Sequence, residues 1–301
     1  MGALSFRTEM AFDYGEPSEL QPNVVRLVAN NPSPFTFKGT NTYIVGTSTL
    51  AIIDPGPDDP DHLSAILSTV AGRDVSHILV THTHRDHIDG LDALVEATGA
   101  KVCGYGRKGV PMDEVLLSPS GRSFIDVDFD PDIKLRTGDQ LAGDGWAIEA
   151  LHTPGHALDH LCFALEGTGA VFSGDHVMGW NTTVVAPPEG HMGNYLASLE
   201  LLLARQDAVF FPGHGGRIAD PRRTCRAYLI HRKMREQAIL DAIRADVGTI
   251  DAIVAQIYEH LDPKLINAAK LSVQAHVEHL IERELVLAPQ EIDFTTELRA
   301  S

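Results

Sequence analysis

Thr81-His82-Thr83-His84-Arg85-Asp86-His87 puts four side chains with metal-ligating atoms into six residues, directly after the apolar run His77–Val80. That run has the character of a buried strand, and Leu91, Leu94 and Val95 behind it recur at helical spacing. The heptapeptide is therefore expected at a strand-to-helix turn. In an extended segment residues i and i+2 point the same way, so His82 and His84 can converge on one ion. Asp86 and His87 follow at the turn and face another direction, so one loop can serve two neighbouring ions. Imidazole nitrogen and carboxylate oxygen suit zinc, with bonds of about 2.0–2.2 Å. The competing reading, a histidine-rich surface loop, loses force because further ligand types recur in matching contexts.

His156 stands in Thr153-Pro154-Gly155-His156, Asp175 in Phe172-Ser173-Gly174-Asp175, and His214 in Phe211-Pro212-Gly213-His214-Gly215. Each follows an apolar run and a glycine, which delivers a side chain from a strand end into a shared cleft. Asp54 ends the run Leu50–Ile53 in the same manner. Around these points Val24–Val28, Thr42–Val45 and Ala208–Phe211 read as strands, and Asp61–Val70 and Tyr195–Leu203 as helices. The stretch from Lys101 to Phe172 reads as short strands with turns at Gly121, Gly138 and Gly143–Gly145. Beyond Pro221 the pattern turns helical. Arg222–Ala245 is one helix, Thr249 caps a second through Ile253, Ile257 and Tyr258, and a third runs from Pro263 to Ile281. A small hairpin is expected within Glu284–Thr296. The domains expected are residues 1–220, carrying the ligands, and residues 221–301, helical.

With 44% hydrophobic and 22% charged residues over 301 positions, the composition is globular. No apolar run approaches the roughly 18–20 residues of a membrane helix, and Met1–Tyr14 lacks a secretory pattern, so a cytoplasmic protein without membrane partners is expected. Cys103, Cys162 and Cys225 lie far apart, which excludes a disulfide scaffold and a thiolate zinc site. The net charge of −17 argues against general nucleic-acid binding through a basic face. It is unevenly spread: residues 1–215 carry 12 Lys and Arg against 28 Asp and Glu, and residues 216–301 carry 12 against 13.

The ligand motifs, in this order, resemble those of the metallo-β-lactamase superfamily over roughly residues 22–220. The resemblance implies an α/β (α+β) fold, a four-layer αββα sandwich with metals at one edge. It implies that His82, His84 and His156 hold one ion, that Asp86, His87 and His214 hold the second, and that Asp175 bridges both. Asp54 becomes an acid that orients ligands. Two zinc ions per chain are expected, with iron or manganese as alternatives. Two such ions share a water and make hydroxide available near neutral pH for attack on an ester or thioester. The superfamily's flavodiiron members carry glutamate where His84 stands, and its true β-lactamases usually carry cysteine at Asp175, so neither activity is expected.

Three further segments resemble one branch of the superfamily, that of the lactamase-beta-2-like proteins with a C-terminal winged-helix-like domain. These are Phe35-Thr36-Phe37-Lys38-Gly39-Thr40-Asn41-Thr42-Tyr43, Gly155-His156-Ala157-Leu158-Asp159-His160 and His231-Arg232-Lys233-Met234-Arg235-Glu236-Gln237. Activities in that branch include hydrolysis of carrier-bound thioesters and endoribonuclease action on single-stranded RNA. The motifs do not choose between them. A small-molecule or carrier-bound acyl substrate is favoured, RNA is the rival, and a mononuclear iron dioxygenase is a third reading. Asp175, Asp86, Asp54 and His160 are the candidate catalytic groups, with His160 either touching substrate or supporting its neighbours. His152, His176 and His191 match no ligand position and are expected to be structural. Thr40, Asn41 and Trp180 are expected to line the cleft. The basic segment 217–235 is either a solvated face paired with the acidic main domain or a rim that grips phosphate through Arg232 and Arg235. RNA would also need exposed aromatic faces, for which Tyr105, Trp180 and Tyr195 are the candidates.

Overall fold

The computed structural model describes residues 6–108, 123–259, 261–289 and 291–301. The expected turn at Gly121 and the first five residues lie outside them. Seven strands form one sheet in sequence order: β1 (Ser18–Gln21), β2 (Val24–Val28), β3 (Asn41–Gly46), β4 (Thr49–Ile53), β5 (Asp74–Leu79), β6 (Lys101–Gly104) and β7 (Ile133–Lys134). Pairing is antiparallel through β4 and parallel from β4 to β7. A second sheet holds β8 (Gln140–Gly143), β9 (Trp146–His152), β10 (Leu161–Leu165), β11 (Ala170–Gly174) and β12 (Val209–Pro212), antiparallel except for β11 beside β12.

The period-2 alternation of each strand places the layers. Tyr43, Val45, Ala51 and Ile53 of the first sheet meet Ile148, Ala150, Phe163, Leu165, Phe172 and Phe211 of the second in one core. The opposite parity, Ile44, Leu50 and Ile52, packs outward on Ile66 and Val70 of α1 (Pro60–Val70), with Leu94 of a later helix beside them. On the far side Leu151, Cys162, Ala164, Val171 and Phe210 cover Leu199 and Leu202 of a helix that follows the second sheet's fourth strand. Helix, sheet, sheet, helix is the resulting order, the expected four-layer sandwich.

The remaining helices are α2 (Arg85–Ile88), α3 (Leu91–Thr98), which carries Leu94, α4 (Met192–Ala204), which carries Leu199 and Leu202, α5 (Pro221–Arg244), α6 (Ile250–Ile257) and α7 (Ile266–Glu282). Thr249 caps α6, its hydroxyl accepting from Ala252 N, and Asp220 caps α5 ahead of Pro221. Helix α5 joins two cores. Cys225, Tyr228 and Leu229 pack with the second sheet, whereas Ile239, Leu240 and Ile243 pack with α6 and α7. The terminal hairpin departs from expectation: β13 (Val286–Leu287) pairs with β14 (Arg299–Ala300), beyond Thr296. Asp293 holds a turn by accepting from Thr295 and Thr296, so the chain returns later than its hydropathy suggests. No helix among the described residues is long and apolar enough to cross a membrane.

Candidate metal centre

Strand ends deliver the seven ligand-type side chains to one edge of the sandwich. His82 and His84 follow β5, Asp86 and His87 lie on α2, His156 follows β9, Asp175 follows β11, and His214 follows β12. His82 Nε2 and His84 Nδ1 stand 2.8 Å apart, and His156 Nε2 lies 3.0 Å from the same His84 nitrogen. Asp86 Oδ2, His87 Nε2 and His214 Nε2 form a second triad with separations of 3.4, 3.3 and 3.3 Å. Two ligands at about 2.0–2.2 Å from one tetrahedral ion stand roughly 3.3–3.6 Å apart, so the second triad has the spacing of an ion's coordination shell. Asp175 lies between the triads: its Oδ1 is 3.5 Å from His87, and its Oδ2 is 3.2 Å from His214 and 3.7 Å from His156.

The hydrogen bonds behind the cage fix which nitrogens are bare. His156 Nδ1 meets the Val184 carbonyl at 2.7 Å, and His214 Nδ1 meets that of Gly39 at 3.2 Å. A carbonyl only accepts, so both Nδ1 atoms carry the proton and both Nε2 atoms offer a lone pair inward. Asp54 does the same for two histidines. Its Oδ2 faces His87 Nδ1 at 2.8 Å and accepts from the Thr81 hydroxyl at 2.7 Å, leaving that oxygen to accept from His82 Nδ1 at 2.9 Å. One buried carboxylate thus orients a histidine of each triad. Gly213 is needed for space: a Cβ there would collide with Asp175 Oδ1 and stand 2.7 Å from His87 Cε1.

Charge and burial sort the histidines. Burial holds His84 neutral, down to about 3, and it also depresses His82. Burial would depress His214 and His87 too, but the carboxylates of Asp175 and Asp86 outweigh it, raising His214 to about 9 and His87 well above its ordinary value. Asp86 and Asp175 are pulled below the usual carboxylate range by the same pairing, against burial. The two carboxylates thus draw positive charge to His87 and His214, carried by a ring proton when no ion is bound and supplied by a divalent cation when one takes its place.

The family model "Metallo-beta-lactamase superfamily" matches residues 35–214. The chain belongs to the metallo-beta-lactamase superfamily. A second match, "Beta-lactamase associated winged helix domain", covers residues 249–291. A Claviceps purpurea protein named atrochrysone carboxyl ACP thioesterase is 30% identical over 85% of this chain and 78% of its own length. The Beta-lactamase-like protein 2 homolog of Drosophila melanogaster is 31% identical over 87% of this chain and 89% of its own. A Beta-lactamase domain protein from Burkholderia ambifaria shares the fold, with a TM-score of 0.80 at 19% identity over 97% of this chain and 96% of that one. The chain is a metal-dependent hydrolase of this superfamily, in the branch with a C-terminal winged helix.

Several residues expected at the cleft are placed elsewhere. Thr40 and Asn41 are buried: Thr40 donates to Asp86 Oδ2 at 3.0 Å, and Asn41 donates to the Pro212 and Gly215 carbonyls at 2.8 and 2.9 Å. They build the His214 loop rather than the cleft wall. His160 is also buried, its Nε2 accepting from Asp175 N at 3.1 Å and its Nδ1 facing Thr153 Oγ1, so it supports Asp175 and does not face substrate. Arg232 is 3% exposed and donates to the Thr183 carbonyl. Arg235 packs over the Tyr258 ring at 4.2 Å. Neither forms a phosphate rim, because both face inward between helices. Trp180 stays partly exposed beside the His214 loop, stacked on Phe37 at 4.8 Å. His191 caps α4 and pairs with Glu282 at 2.7 Å, and His152 bonds the Leu158 carbonyl. A buried cluster, Arg107 with Glu189 and Asp159, has no sequence signal, since its members lie far apart in the chain. Glu189 Oε1 also accepts from Leu158 N at 3.0 Å, which pins the loop carrying His156.

Proposed function

We propose that the chain is a binuclear zinc thioesterase that acts on an acyl group borne by a carrier protein. The observation that carries this reading is Asp175, within 3.7 Å of ligand-type nitrogens of both triads. His82, His84 and His156 would hold one ion, Asp86, His87 and His214 the other, and Asp175 would touch both. A bound ion pair supplies Lewis acidity and lowers the pKa of a shared water to near neutral. The chain's own residues supply the geometry: Asp54, Thr81, Val184 and Gly39 hold the ring nitrogens inward, while Thr40 and His160 fix the two aspartates. Hydrolysis adds water to the acyl carbon and breaks the C–S bond. A thiol of pKa about 8.5 leaves as thiolate without help, which suits a cage whose titratable groups are all engaged as ligands or buried supports. The thioesterase name of the Claviceps purpurea relative supports the same choice.

Arg222, Arg226, Ile230, Lys233 and Met234 share one face of α5, with Ile230 48% and Met234 63% exposed. None of these three cations has an ion-pair partner among the described residues, so the expected pairing with the acidic domain is absent. A basic rim around apolar side chains fits an acidic protein surface. Of the three stacking faces expected for RNA, Tyr195 is buried and Tyr105 lies between His152 and Arg136, which leaves Trp180.

The test is a parallel assay of zinc-loaded protein on acyl-pantetheine, the same acyl group on an acidic carrier protein, and single-stranded RNA. Both thioesters are expected to turn over, Asp175→Ala to lose at least a thousandfold in kcat, and Arg226→Glu to raise KM for the carrier-bound substrate alone. Cleavage of RNA without thioester turnover would overturn the proposal.

A further inference from the structure

The segment from Asp175 to Val184 has neither helix nor strand, yet it carries Asp175 and also the carbonyl that orients His156. Irregular backbone must find hydrogen-bond partners elsewhere, and here helices provide them. Tyr195 of α4 donates to the His176 carbonyl at 3.0 Å, and the one hydroxyl proton of Tyr228 in α5 is shared between the carbonyls of Met178 and Asn181. Arg232 donates through Nη2 to the Thr183 carbonyl, with Nη1 3.4 Å from Ser272 Oγ of α7 and the guanidinium 5.1 Å from the Tyr195 ring. Thr183 in turn donates its hydroxyl to the Asp175 carbonyl at 2.7 Å. The peptide unit gripped by Arg232 is the one that joins Thr183 to Val184, whose own carbonyl accepts from His156 Nδ1.

Arg232 is buried, and among the described residues no carboxylate pairs with it. An uncompensated buried cation is costly, so stability alone does not account for an arginine here. We propose that Arg232 is a positioning residue of the metal centre. Through Thr183 it sets the place of Asp175, and through the same peptide unit it sets the acceptor for His156, so α5 holds the bridging carboxylate and one histidine in a common frame. This rests on the two-ion reading of the cage and is independent of the substrate.

The test titrates the full chain with cobalt(II), reading visible absorption and competition with a chromophoric chelator, beside the melting temperature of each metal-free protein. The variants are Arg232→Met, Arg232→Lys and Thr183→Val. The parent should take up two cobalt ions; uptake of fewer than two would sink the two-ion reading itself. Given two, Arg232→Met and Thr183→Val should each weaken at least one ion tenfold or more and shift its absorption bands. Arg232→Lys, which keeps a donor for the Thr183 carbonyl, should recover most of that loss. Thr183→Val is nearly isosteric and answers the question even if Arg232→Met does not fold. Parent affinity and spectrum in Thr183→Val would overturn the proposal, whatever happens to its melting temperature.

Discussion

Asp54 accepts three hydrogen bonds, two through Thr81 and one facing His87, and so settles the proton positions of two rings it does not resemble in role. Atoms of this kind occupy much of the centre. Asp159 is another: burial raises its carboxyl to about 6 against the pull of Arg107. An acid raised in the folded state lends stability that is full below about pH 3.8 and lost as pH rises through about 6. At roughly 1.4 kcal/mol per pKa unit, the loss is about 2–3 kcal/mol. Asp159→Asn has no such loss, so its stability relative to the parent should rise by that amount between pH 4 and pH 7.5 in urea unfolding with chelator present. A constant offset across that range would contradict the assignment. The convergence of the ligand-type side chains was legible in the sequence because most of them follow an apolar run or a turn. Thr40, Asn41 and Arg232 lie elsewhere than the sequence suggests, and of the two roles open to His160 the supporting one is observed, because motif position says which residues lie near a cleft and not which way they face. The Arg107 cluster was illegible for a simpler reason: Arg107 and Glu189 meet across 82 positions of chain.

Strands that alternate or run apolar announced themselves, and Val24–Val28 is observed with the bounds read from its β-branched pattern. Ser18–Gln21 did not, since an edge strand with an exposed Glu19 carries little apolar signal. The cap at Thr249 is local chemistry and is observed where the sequence places it, whereas the cap at Asp220 is a finding of the structure and the return strand Arg299–Ala300 depends on packing against Val286 and lies outside the expected hairpin. Between strands, the turn glycines set how closely ligands can gather. Gly213 lies where a methyl group would press on both Asp175 and His87. Gly213→Ala should weaken zinc binding tenfold or more while circular dichroism stays that of the folded parent. Unchanged affinity would show that the cage has slack the packing does not suggest.

Over the whole molecule, a chain with net charge −17 places Asp54, Asp86 and Asp175 among the clustered histidines, while Arg222, Arg226 and Lys233 of α5 have no ion-pair partner among the described residues. The helical C-terminal region is tied into the sandwich, because α5 contributes side chains to both cores. Its winged-helix character was legible from three helices and a hairpin; that its first helix would reach toward the metal centre was not, since Arg232 acts through a carbonyl 49 residues away. The central claim is that two ions lie in this cage with one carboxylate between them. Anomalous diffraction at the zinc edge from zinc-loaded crystals measures it directly. The predicted result is two peaks, one among His82, His84 and His156 and one among Asp86, His87 and His214, with Asp175 in contact with both; a single peak, or Asp175 turned away from either ion, would contradict it.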